Sequence, residues 1–138
     1  MKRIIAVALI SITLLVTLMG CSSGGTDGGW VATGSDWAYY LEITNGVGPV
    51  DYAYLYNGEI RRFHGELAIH NDGTVEVVGF VDGALKDCSA CPYHLTNGNL
   101  VIDYTYQPYS GNGPVSGTMT FSNGDSSSYQ NAIQQFHT

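Results

Sequence analysis

Two cysteines three residues apart, in Cys88-Ser89-Ala90-Cys91, are the most pointed chemical feature of the chain, and His94 follows closely. Two thiolates and an imidazole are a partial zinc ligand set. A C-x-x-C pair can instead run thiol–disulfide exchange when its first thiol sits at a helix N-terminus, or it can oxidise to a staple in an exported protein. A zinc ribbon needs a second cysteine pair, which the chain lacks, although His64 or His70 could complete a set. No helical pattern follows Cys91, where Pro92 and Tyr93 open a strand, so nothing there lowers a thiol pKa. The haem pattern C-x-x-C-H is absent because position 92 is Pro. The expectation is a Cys88–Cys91 disulfide, stabilising by about 2 kcal/mol through loop closure. Metal binding by Cys88, Cys91 and His94 is the first alternative and redox work the second.

Tyrosine is the other unusual feature, with ten in the chain. Tyr52-Ala53-Tyr54-Leu55-Tyr56 and Tyr104-Thr105-Tyr106 put phenols at alternate positions, hence on one face of a strand. Buried phenols need partners for their hydroxyls. The face formed by Tyr52, Tyr54, Tyr56, Tyr104 and Tyr106 is therefore either core with hydroxyls at a rim or a semi-wet wall for a sugar, peptide or partner protein. Core is the expectation. His64, His70, His94 and His137 read as solvated or turn-associated residues, and a bulge at Gly65 would leave the facing of His64 and His70 open. Glu59, Glu66 and Glu76 stand singly on strands, as polar-face residues do. A G-x-S-x-G nucleophile turn is missing, since Gly113-Pro114-Val115-Ser116-Gly117 has the wrong spacing, and no glycine loop for phosphate precedes a helix. The expectation is a non-enzyme with no cofactor.

The elements that must position these residues are punctuated by turn words: Asn45-Gly46, Asn57-Gly58, Asn71-Asp72-Gly73, Asp82-Gly83, Asn97-Gly98, Asn112-Gly113 and Asn123-Gly124. Such pairs tolerate the positive φ of primed hairpin turns, and their spacing leaves no room for crossover helices. Between them apolar residues alternate, as in Trp37, Tyr39, Leu41 and Ile43, then Val50, Tyr52, Tyr54 and Tyr56, then Leu67 and Ile69, then Val75, Val77 and Val81, then Leu100, Ile102, Tyr104 and Tyr106, and finally Val115, Met119 and Phe121. The fold class expected is all-β: an antiparallel up-and-down meander of about seven or eight strands, closed into a small barrel or folded as a two-layer sheet. Tyr129, Ala132, Ile133 and Phe136 have helical spacing after Ser126-Ser127-Ser128, but they follow a hairpin word, and a final strand is expected. The later half, from Asn71-Asp72-Gly73-Thr74-Val75-Glu76-Val77 through Tyr93-His94-Leu95-Thr96-Asn97-Gly98-Asn99-Leu100-Val101-Ile102, resembles the small lipocalin-like domains of bacterial lipoproteins. That resemblance implies a ligand-binding barrel, with the tyrosines lining its pocket.

Met1-Lys2-Arg3 followed by an apolar stretch to Met19 has the layout of a secretory signal and is short for a spanning helix. It ends in Leu18-Met19-Gly20-Cys21, which resembles the lipobox of bacterial lipoproteins. The resemblance implies cleavage before Cys21, acylation of Cys21 and stable anchoring by two or three acyl chains. Ser22 rather than Asp after the cysteine is similar to the pattern sent to the outer membrane in Gram-negative cells. The domains expected are a signal peptide over 1–20, a flexible Gly/Ser tether over 21–29 and a single β-domain over 30–138. Removing Lys2 and Arg3 leaves three cations (Arg61, Arg62 and Lys86) against twelve acids, a net charge of −9. Nothing there supplies the basic stripe that a nucleic acid needs. The partners expected are a membrane, through the lipid, and a protein or glycan of the envelope. The function expected is that of a non-enzymatic interaction or structural module.

Overall fold

The computed structural model describes residues 25–79 and 82–137. Cys21, the segment read as a signal, the first part of the tether and Val81 lie outside the described residues. Eight strands follow in order: β1 (Gly28–Thr33), β2 (Trp37–Ile43), β3 (Val47–Tyr56), β4 (Glu59–Ile69), β5 (Thr74–Val78), β6 (Cys91–Thr96), β7 (Asn99–Tyr106) and β8 (Val115–Asn123). Each pairs antiparallel with its sequence neighbour, and β8 returns to β1, so the expected meander is a closed barrel. Closure removes the free edges that invite wrong pairing. Three hairpins turn on Asn-Gly pairs with both residues at positive φ, at Asn45-Gly46, Asn57-Gly58 and Asn97-Gly98. This is the primed geometry that matches strand twist.

Alternation sends Trp30, Tyr39, Leu41, Ile43, Val50, Leu67, Val75, Leu100, Ile102 and Phe121 into one interior cluster. On β4 the outward positions carry Arg62, His64 and Glu66, and the ladder from Val47↔Ala68 to Tyr56↔Glu59 is unbroken. No bulge therefore occurs at Gly65 and His64 points outward, while His70, just past the end of β4, meets Glu76 at 3.4 Å.

The structure corrects several expectations. The fixed chain begins earlier than residue 30: β1 opens at Gly28, Thr26 is buried, and the Thr26 carbonyl accepts the Trp30 indole N–H at 2.7 Å. Asp27 also accepts the N–H groups of Asn45 and Gly46, at 2.9 and 3.1 Å, which ties the tether's end to the β2–β3 turn. In the β7–β8 connection the positive φ falls on Gly111 rather than on Asn112-Gly113. The C-terminal segment is a helix, α1 (Ser126–Gln134), with a 3-10 turn at Gln135–His137, and not a ninth strand.

The helix has a physical reason on each side. Because β8 already pairs with β1, no edge remains for another strand. Asp125 caps the helix, its carboxylate accepting the Ser128 N–H at 2.9 Å. Tyr129, Ile133 and Phe136 then bury against Ala38 and Ala53, which face each other across β2 and β3. Those two alanines are the outward positions small enough to let a helix lie on the wall.

Candidate functional site

The connections at 34–36, 57–58, 82–90 and 107–114 gather at one end of the barrel, the mouth, which is also the tyrosine-rich end. Tyr39 and Tyr52 are register partners, with rings stacked at 4.3 Å. The stack continues from Tyr52 to Tyr54 at 5.4 Å and from Tyr54 to Phe63 at 5.8 Å and 7°. Opposite, Tyr104 and Tyr106 lie 6.1 Å apart, and Gly117, the register partner of Tyr104, leaves room for its ring.

The β5–β6 connection closes this end. Leu85 and Cys88 are fully buried within the interior cluster. Tyr54 donates its hydroxyl to Asp82 at 2.9 Å, while Gly83 packs where any Cβ would overlap Tyr39 and Tyr52. Lys86 pairs with Asp87 at 2.9 Å and lies 4.7 Å from the Tyr109 ring, and Asp87 accepts the Gln107 N–H at 2.8 Å. Cys88 and Cys91 are joined by a disulfide. It sits beside the narrow β5–β6 seam, where only two residue pairs are in register and the Cys88 carbonyl accepts the Val77 N–H at 2.7 Å. The staple therefore fixes the segment that carries Leu85 into the mouth.

The five tyrosines share the inward face but not one environment. Tyr52 is core at 9% exposure, Tyr54, Tyr104 and Tyr106 are half-buried, and Tyr56 is 51% exposed with Arg61 over its ring. Burial, with the neighbouring phenol and Asp82 adding to it, pushes Tyr39 and Tyr52 far above the ordinary tyrosine pKa. His94 is exposed on the outward side of β6, whereas Cys91 is buried on the inward side. The structure therefore does not bring the imidazole to the two sulfurs, and among the described residues no group of three His, Cys, Asp or Glu could hold a metal.

A second site was not foreseen. Between α1 and the outer wall of β2 to β4 lies a cleft of about 290 Å³, lined by Tyr40, Asp51, Arg62, His64, Ser126 and Gln130 among others. Asp51 and His64 are register partners, and His64 Nδ1 meets Asp51 Oδ1 at 2.8 Å. Tyr40 shares a short hydrogen bond with Glu42, and burial and that carboxylate push its phenol up to about 12. Tyr129 packs beneath, and burial raises its pKa to about 12, partly offset by the Arg62 guanidinium nearby. Strand alternation could have paired Asp51 with His64 once register was known. The helix wall could not be foreseen while that segment was read as a strand.

The hydrogen bond to Asp51 raises the His64 pKa above its ordinary 6.5. A raised folded-state value means that the pair stabilises fully below 6.5 and loses that contribution as pH rises through the raised value. Both groups are exposed, so the contribution is below about 1 kcal/mol. An NMR titration is expected to place His64 above 6.5 and Asp51→Asn to bring it back toward 6.5. Wild-type His64 titrating at or below 6.5 would contradict the pairing.

The class defined by these features is a small closed up-and-down barrel with a stapled plug in its mouth and a helix on its outer wall. No protein-family model, curated protein or solved structure matches the chain.

Proposed function

We propose that the mature chain is a lipid-anchored protein of the cell envelope, attached through Cys21, whose barrel is a non-enzymatic interaction module. The observation that carries this reading is the plug: Leu85 and the stapled Cys88 occupy the mouth, so a partner meets an aromatic rim and not an open cavity. That rim offers Tyr56 and Tyr109, 51% and 76% exposed, each with a cation beside its ring. Exposed aromatic faces with nearby polar groups suit a glycan or a protein partner. The acidic lobe also suits a domain held off an anionic membrane by its lipid. A lipocalin-like container with a pocket lined by Tyr52, Tyr54, Tyr104 and Tyr106 would require the 82–90 segment to leave the mouth with Leu85. Metal or redox handling at Cys88, Cys91 and His94 would require the disulfide to open.

Two measurements test the proposal. Cys21→Ala is expected to abolish fatty-acid labelling and membrane fractionation, and normal labelling of that variant would remove the anchor. The double variant Tyr56→Ala/Tyr109→Ala is expected to keep its melting temperature while losing retention on insoluble cell-wall glycan or on an envelope extract. Equal retention of the variant and the wild type would move the interaction away from the mouth.

A further inference from the structure

We propose that the outer cleft between α1 and β2 to β4 is a binding site for one acidic sugar residue, a small carboxylate that also carries hydroxyl groups. This site is separate from the mouth and does not depend on the lipid anchor.

Arg62 is the first reason. The chain has twelve acids and few cations, yet among the described residues no carboxylate lies within 4 Å of the Arg62 guanidinium. The group that lines the cleft beside it is the Tyr129 phenol, which is neutral. A guanidinium has five donors in a fork that matches a carboxylate, and with no carboxylate beside it most of that fork faces a ligand. His64 is the second reason. Its Nδ1 is taken by Asp51, which fixes the ring and leaves Nε2 as the atom that can meet a ligand. Arg62 and His64 stand two residues apart on the outward face of β4, on the same side of the cleft.

The opposite wall explains the hydroxyls. Ser126 and Gln130 are four residues apart on α1, hence on one helix face, and both line the cleft with a hydroxyl and an amide. Asp51 bonds His64 through Oδ1, which leaves Oδ2 to accept a sugar hydroxyl. Glu42, held by Tyr40, and Asp125, committed to the helix cap, keep the surroundings acidic and disfavour polyanions such as phosphates. A monoanion that also donates hydrogen bonds is the chemistry that fits both walls. The volume, about 290 Å³, is at the small end of ligand pockets, the scale of one ring and not of an oligomer.

The test uses the full-length protein and glucuronate as the probe, followed by NMR shifts at His64, Ser126 and Gln130 and by calorimetry. Binding with a Kd of about 1 mM is expected for a ligand of this size. Glucose, which lacks the carboxylate, and acetate, which lacks the hydroxyls, are each expected to bind about tenfold more weakly. Arg62→Gln is expected to weaken glucuronate about tenfold, and Gln130→Ala, on the exposed helix face, by about threefold. Those two positions are solvent-exposed, so the melting temperature should hold, and either variant alone tests the site. The proposal is overturned by the absence of shifts in the cleft. Unchanged affinity in either variant, or acetate binding as tightly as glucuronate, would overturn it equally.

Discussion

Tyr52→Ala is expected to cost about 3–5 kcal/mol, the range for deleting a buried aromatic ring, whereas Tyr56→Ala two positions along is expected to stay within about 0.5 kcal/mol. The contrast follows from environment. Tyr52 is 9% exposed and stacked on Tyr39, Tyr54 and Phe63, while Tyr56 is 51% exposed beyond the rim. Tyr54→Ala falls between them, because the half-buried ring also loses the hydroxyl bond that holds Asp82 and with it the start of the plug. A domain of this size has about 5–15 kcal/mol in total. At about 4–8 °C per kcal/mol, Tyr52→Ala should melt more than about 12 °C below the wild type. Thermal unfolding of the three single variants checks the gradient, and three equal melting temperatures would contradict it. The expectation that all three tyrosines are core therefore holds for Tyr52 and fails for Tyr56, because the β3 strand runs past the end of the barrel.

Gly29→Ala is expected to open the barrel. The β1–β8 seam has two residue pairs in register, Trp30↔Asn123 and Val31↔Ser122, and is extended by the Gly124 N–H donating to the Gly29 carbonyl at 3.1 Å. A Cβ on Gly29 would overlap the Gly124 carbonyl oxygen, and one on Gly124 would press on Val31. Side-chain overpacking costs about 1–3 kcal/mol because neighbours can turn aside. A backbone carbonyl within a narrow seam cannot, so about 3 kcal/mol or more is expected, together with self-association through the exposed edges of β1 and β8. Gly113→Ala is the control, since a Cβ there meets nothing within 4 Å. Equal melting temperatures and equal monomer content for the two variants would contradict the account of closure.

Much of this fold is legible in short stretches of chain. Alternation in Trp37 to Ile43 fixes which residues point inward on β2, because successive side chains in a strand face opposite sides. Asn-Gly pairs mark three tight hairpins because both residues tolerate positive φ. The Cys88–Cys91 bridge was legible because the two cysteines are only three residues apart, and the bend at Ser89-Ala90 brings their Cα atoms to 5.5 Å, within reach of a disulfide. The candidate site was less legible. Asp51 and His64 are thirteen residues apart and meet only because the β3–β4 register makes them opposite. Ser126 and Gln130 come to the same cleft only because α1 lies on the wall.

What the amino-acid sequence determined by itself is therefore the set of local choices: strands with an inward face, hairpins of neighbouring strands, and a short staple. Each is governed by interactions within a few residues. Three matters were decided only by the tertiary structure. Gly29 belongs to the closing seam and not to a tether, because β8 needs a partner that lies far away in the chain. The segment Ser126–Gln134 is a helix and not a strand, because closure leaves no edge and Ala38 and Ala53 leave a shallow apolar seat outside. The tyrosine ladder is core at one end and surface at the other, because the depth of each ring is set by where the barrel stops and where Leu85 enters. Period-two patterning carries the facing of a side chain but not its distance from the end of the barrel.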